Sequence, residues 1–435
     1  MMTTLLLGTM SGEGSVIPLW SLIPFVLLLL MIASMPFIHK HWWEAHYSKV
    51  ACLFAAVIVG YWGWGRGDWT TVLHTGHEYV SFMAIVLSLY MVAGGIHIRT
   101  KGEATPLENS LFLLFGAVIA NFIGTTGASM LLIRPWIRMN KYRITEYHIV
   151  FFIFVVSNVG GCLTPIGDPP LFLGYLKGIP FFWTLEMFWP AWLTAILMLI
   201  VIFYCIDRLN FLKALKNLRE EKKADNQWKV EGKRNLIPLL VILGAVFIKE
   251  PLFLREIIMF AAAGYSYWTT PKPIFEANHF NFEPIKEVGW LFLGIFATMI
   301  PALGYLGANA AQLGLDSPLK FYWFTGLLSG ALDNAPTYLT FLSALLGLNG
   351  KSIENPGDIL WLISEKGIWV EAISLGAVFF GALTYIGNGP NLMVKTIAEQ
   401  SKVNVPSFFG YLIRFSIPIL LPVVTILGWL FFRAH

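Results

Sequence analysis

Apolar runs of about twenty residues recur along this chain, each long enough to cross a bilayer as a helix. The polar stretches between them are short. Residues 16–38, 50–64 and 80–98 predict three spans. Residues 107–137 divide differently. Segments 111–120 and 130–137 are apolar, and the stretch from Asn121 to Ser129 between them is small and polar. Each arm is too short to span, so the pattern predicts a re-entrant hairpin over 107–137 with its polar tip at mid-membrane. Residues 149–179 are apolar at both ends, but the centre, Ser157 to Pro170, holds three glycines, three prolines and one aspartate. These break the helical hydrogen-bond ladder. Irregular backbone at membrane depth survives only where protein buries it or where it lines a wet cavity. Residues 149–179 therefore predict a broken helix around a polar site.

The second half follows the same plan. After a span at 181–206 and a polar linker at 207–235, residues 236–248, 257–270 and 288–306 predict spans. A second hairpin is expected over 319–347, with Asp333-Asn334-Ala335-Pro336-Thr337 at its tip, then a broken helix over 369–397 and a last span over 408–432. The two breaks share a pattern at an offset of 220. Gly161, Leu163, Thr164, Ile166, Gly167 and Pro170 match Gly381, Leu383, Thr384, Ile386, Gly387 and Pro390, with Asp168 exchanged for Asn388. Paired Gly/Pro-broken segments in two halves point to a transporter's binding site. The expected fold is an all-α polytopic membrane protein of two inverted-topology repeats, 1–206 and 236–435. Each repeat has about five spans, a hairpin and a broken helix.

Composition fixes the solvent. With 56% hydrophobic and 13% charged residues, the chain is built for lipid. The net charge of +4 leaves no nucleic-acid footprint, and the lipid bilayer is the expected partner. Of the 30 Lys and Arg, 22 fall in 39–49, 97–147, 206–235, 270–287 and 395–414. The positive-inside rule then places those segments, including the linker, in the cytoplasm and both termini outside, in a bacterial inner membrane. Cys52, Cys162 and Cys205 lie in apolar runs and form no disulfide or metal pattern. No cleavable signal peptide is expected, because residues 1–15 carry no Lys or Arg.

Charges inside spans are costly and mark function. Asp168 and Asp333 are the acids at mid-segment in broken regions. Each also suits an N-cap on a half-helix. Glu371 and Glu256 are expected near span ends, in reach of water, and Arg134 and Lys395 are expected to snorkel. Oxygen donors surround the two aspartates in sequence: Asn121, Thr125, Thr126, Ser157, Asn158, Thr164, Asn334, Thr337, Thr384, Asn388 and Asn391. One carboxylate among oxygen ligands suits a small hard cation such as sodium, and the same carboxylate can exchange that cation for a proton. No cofactor is expected beyond transported Na+ and H+. If each hairpin packs on its own broken helix, Asp168 would cluster with Asn121 and Asp333 with Asn388. His74, His77, His97 and His148 are expected at surfaces and interfaces. An embedded enzyme would need a nucleophile–base pair or metal cluster within a span, and the sequence shows neither.

Ser157-Asn158-Val159-Gly160-Gly161 followed by Gly167-Asp168-Pro169-Pro170 resembles the signature of NhaD-type sodium/proton antiporters and their citrate-transporter-like, CitMHS-related relatives in the ion transporter superfamily. Leu332-Asp333-Asn334-Ala335-Pro336 resembles that group's second hairpin tip, Ile386-Gly387-Asn388-Gly389-Pro390-Asn391 its second broken helix, and Ala93-Gly94-Gly95-Ile96 the end of the span before the first hairpin. The resemblance implies a homodimeric secondary transporter with a scaffold and a mobile transport part, most simply a sodium/proton antiporter. The alternative is a cation-coupled transporter of an organic anion such as citrate or a dicarboxylate. One departure stands out: Ala120-Asn121 replaces the Asp-Asn of many relatives at the first hairpin tip. The paired Ser-Asn-Thr motifs of dicarboxylate carriers are also missing from the tips.

Overall fold

A computed structural model describes residues 17–99, 104–213, 229–248 and 250–433. Most of the polar segment 207–235 lies outside them. The described helices run in order as α1 (Ile23–Ile38), α2 (Lys40–Gly60), α3 (Trp69–Gly94), α4 (Pro106–Met139), α5 (Glu146–Val155), α6 (Pro169–Lys177) and α7 (Phe181–Lys213). The second half contributes α8 (Leu236–Ala245), α9 (Leu254–Thr269), α10 (Lys272–Ala277), α11 (Glu283–Asn309), α12 (Pro318–Ala331) and α13 (Asn334–Leu348). It ends with α14 (Pro356–Phe380), α15 (Gly389–Gln400), α16 (Phe408–Tyr411) and α17 (Leu421–Phe432). Nine helical stretches among the described residues are long and apolar enough to cross a bilayer. The chain is an all-α polytopic membrane protein. Its one sheet among the described residues is a short antiparallel ribbon, β1 (His97–Arg99) against β2 (Lys229–Glu231). Two local expectations fail. Residues 39–49 are not a loop but the first turns of α2, and α7 continues seven residues into the expected linker, to Lys213.

The 34-residue α4 has the length and apolarity of a span but does not run straight. At Gly124 the backbone takes φ 74, ψ 155, a region open essentially to glycine alone. Asn109 and Asn140 then meet side chain to side chain, in reciprocal hydrogen bonds of 2.7 and 3.0 Å. In a straight helix these residues would stand about 46 Å apart at 1.5 Å per residue. Phe112 on one arm stacks on Trp136 of the other, with centroids 5.6 Å apart. The second doubling-back is at Leu332-Asp333, between α12 and α13, where Phe321 meets Phe341 at 6.3 Å.

Burial sorts the helices. Residues 149–156 of α5 and its end are wholly buried, as are residues 370–380 of α14. By contrast α1, α7 and α17 present Leu, Val, Ile and Trp to the outside, as lipid-facing helices do. Helices α1, α2, α3, α8, α9 and α11 pack among themselves, and the broken elements pack with α7 and α17. The two groups meet along α3 with α4 and α11 with α13. Each half-helix beyond a break crosses to the other half: α6 packs on α13, and α15 packs on α4.

Candidate functional site

Each break strands backbone carbonyls, and their partners build the site. In the first, α5 gives way to a 3-10 turn (Val159–Leu163) and extended chain before α6. Pro169 and Pro170 begin α6, where a missing N–H costs nothing. The Gly160 carbonyl accepts from Asn121 Nδ2 at 2.7 Å and Trp192 Nε1 at 3.0 Å, and Leu163 accepts from Thr184 Oγ1 at 3.0 Å. In the second break, Ala382 accepts from Tyr411 at 2.8 Å and Leu383 from Ser416 at 2.7 Å.

The hydrogen bonds themselves repeat. Thr125 N donates to Gly167 O at 2.7 Å, and Asn334 N to Gly387 O at 3.2 Å. Thr164 Oγ1 donates to Asn121 O, and Thr384 Oγ1 to Gly330 O, both at 2.7 Å. The broken helices keep the offset of 220 (164 to 384, 167 to 387), and the hairpins keep one of 209 (121 to 330, 125 to 334). Two polar hairpin tips are thus held on two breaks by matched bonds.

Asp168 lies at the junction and is 1% exposed. It occupies the N-cap position of α6, yet its side chain makes no cap bond. Its Oδ1 accepts from Thr125 Oγ1 at 2.8 Å and Asn388 Nδ2 at 2.9 Å, and its Oδ2 from Asn334 Nδ2 at 2.7 Å. Asn388, its counterpart in the repeat, also holds an N-cap position and also leaves the cap unmade. It reaches Ser157 O and Asn158 Oδ1 as well, both at 3.2 Å. Asn158 donates to Asn391 Oδ1 at 2.7 Å, while Asn391 Nδ2 closes the second break on Gly381 O and Thr384 O. Ser157 bonds Ser129, a residue the sequence reading did not single out, at 2.7 Å. Among the described residues no basic side chain pairs with Asp168. Asn334 Oδ1, bonded through its amide to that carboxylate, is buried without a hydrogen-bond partner. A crevice lined by Phe82, Val86, Leu89, Thr126 and Asp168 runs between α3 and the first tip.

From residue 14 to residue 432 the chain matches the family described as "Putative citrate transport". It belongs to that family. Two curated relatives are the uncharacterized transporters MT2759, from Mycobacterium tuberculosis strain CDC 1551 / Oshkosh, and Rv2685, from strain H37Rv. Each is 25% identical over 358 residues, covering 75% of both chains. This is a transport protein, not an enzyme.

Within the family's chain the expected pairing of acids and amides needs correction. Asn388 donates to Asp168, and Asn121 does not reach that carboxylate; it ties the first hairpin to the 3-10 turn through Gly160 O and Leu163 N. Asn121 is taken up by the carbonyl and N–H of the 3-10 turn, and Thr125, one turn further along the same hairpin, reaches Asp168 in its place. Asp333 is half-buried, and its Oδ1 accepts from Ala335 N at 3.0 Å, an ordinary cap on α13. Thr337 bonds back to Asp333 O at 2.8 Å within the same turn. Glu371 and Glu256 are each 3% exposed; Glu256 lies in the first turn of α9, near a helix end as expected, whereas Glu371 lies well inside α14. Glu256 bonds Ser81 and Arg255, whereas Glu371 has no ion-pair partner among the described residues. His148 is no interface residue; it is buried against Asp207 at 3.2 Å. Asp207 also binds Arg143, Tyr147 and Asn109, a cluster the reading missed. Opposite charges at the ends of two neighbouring spans, Arg143 and Asp207, were the signal for it.

Proposed function

We propose that this protein is a secondary transporter that exchanges sodium for protons by alternating access, with Asp168 as the carboxylate for which the two ions compete. One observation carries the reading. Asp168 stands at a cap position, leaves the cap unmade, and turns a buried carboxylate toward neutral donors from both hairpin tips and the opposite break, with no counter-charge. A structural cap would bond its own helix, as Asp333 does. Intramembrane carboxylates of this kind mark ion and proton paths. Asn334 Oδ1 supplies a second oxygen beside it. Proteoliposomes with an internal pH-sensitive dye, pulsed with sodium, lithium, potassium or citrate, test the reading. Sodium or lithium should move protons in the wild type and not in Asp168→Asn. A response to citrate with none to sodium alone would overturn it.

That outcome would support a second reading, a cation-coupled carrier of an organic anion such as citrate. The family's description favours it, and so does Arg134, whose Nη1 is buried without a hydrogen-bond partner on the second arm of α4.

A further inference from the structure

At the far end of α6 from Asp168, Lys177 is 4% exposed at its side chain and lies between two carboxylates. Its Nζ is 2.9 Å from Glu78 on α3 and 2.8 Å from Glu354, in the turn before α14. Glu78 is 6% exposed and Glu354 47%. His74, one turn before Glu78, lies 3.8 Å from Glu78 and 3.5 Å from Glu354. His74, Glu78 and Glu354 are close enough to hold a metal ion, but the lysine already occupies the space between the two acids.

We propose that Glu78 and Lys177 form the latch of a gate over the Asp168 crevice, one that opens and closes between the two helix groups. The inference rests on the transporter reading. Glu78 belongs to the group of continuous helices, and Lys177 to the broken elements, so the pair crosses the seam on which the crevice lies. Phe82, which lines that crevice, is one turn beyond Glu78 on α3. The nine residues of α6 form a rod about 13 Å long, with Asp168 at its start and Lys177 at its end. Movement of the site relative to α3 must therefore pull on the Lys177 end. Glu354 precedes α14, a broken element, and moves with Lys177. The lysine exchanges two partners for one and is never left buried without a counter-charge, which would be costly. On the static side, His74 remains beside Glu78.

The test reads access, not flux. In the full chain, with Cys52, Cys162 and Cys205 replaced by alanine, a single Val86→Cys variant places a thiol on the crevice wall two turns beyond Glu78. A membrane-impermeant maleimide is applied to liposomes from the face bearing residue 354. Glu78→Gln and Lys177→Gln should each speed labelling by about tenfold, the factor that 1.4 kcal/mol of lost latch energy sets. Glu78→Lys combined with Lys177→Glu should return it toward the starting rate, and Glu354→Gln should change it little. Unchanged labelling in both single variants overturns the gate, and so does a charge swap that behaves like its singles. The cargo reading fails separately, if Asp168→Asn still exchanges sodium for protons.

Discussion

Two aspartates, each one residue before a half-helix, have opposite fates, and a single bond separates them. Asp333 caps Ala335 N, whereas Asp168 forgoes its helix and receives Thr125, Asn334 and Asn388. Asp168→Asn keeps size and leaves the fold intact, but replaces an ionisable group with an amide facing two other amides. Sodium-dependent proton movement in proteoliposomes should be lost, with an unchanged elution profile in detergent. Asp333→Asn should keep most activity, since asparagine caps as well as aspartate, and Asp333→Ala should lose about 1 kcal/mol of stability. Equal loss of transport in both Asn variants would return Asp333 to the ion path. The sequence ranked these residues equally because both follow the rule for costly intramembrane acids. Which of them caps depends on where α6 and α13 cross, and no local pattern encodes that crossing. Asn121 shows the same limit. Its place in a polar tip was legible, but its partner, the Gly160 carbonyl, was not.

At the scale of elements, breaks were easier to read than contacts. Glycine and proline act on their own backbone, so residues 157–170 announce an interrupted ladder whatever surrounds them. Gly124 is the clearest case. An added Cβ there would stand 3.3 Å from the Ile166 carbonyl, in a backbone conformation that other residues avoid. Gly124→Ala should therefore cost about 1–3 kcal/mol, read as a lower thermal midpoint in detergent, and should loosen Thr125 from Asp168. The base of the same hairpin is fixed by burial instead. Asp207 is 0% exposed and ties Arg143, Tyr147, His148 and Asn109 into one cluster between α4, α5 and α7. Removing one partner of a buried ion pair costs about 3–5 kcal/mol, and removing both often costs much less. Asp207→Leu alone should destabilise strongly, and Asp207→Leu with Arg143→Leu should recover part of the loss. Sequence reading placed Asp207 in a polar linker because α7 runs past the apolar stretch, and helix length beyond the hydrocarbon leaves no mark in hydropathy.

For the whole molecule, the matched bonds at offsets of 209 and 220 show that each half builds the same tip-on-break unit. The contact of Asp168 with Asn388 brings equivalent positions together. Equivalent groups touch only near an axis that relates their halves, so a pseudo-two-fold relating the two halves would pass close to this carboxylate. If that axis lies in the membrane plane, the hairpins enter from opposite faces. Their ends give the test, because Asn109 and Asn140 meet at the base of the first hairpin and residues 316 and 352 flank the two arms of the second. Single cysteines at Lys141 and at Asp316, both exposed, should label from opposite sides with an impermeant maleimide in intact cells. The positive-inside count puts Lys141 on the cytoplasmic side, with the ribbon of β1 and β2, and Asp316 outside. A cysteine at Ser352 should follow Asp316 and mark the face of the Lys177 latch as external. Labelling of Lys141→Cys and Asp316→Cys from one side would place the axis along the membrane normal. The two half-helices beyond the breaks would then run in the same direction through the bilayer, and the crevice beside Asp168 would have no mirrored counterpart through which an ion could leave on the other side.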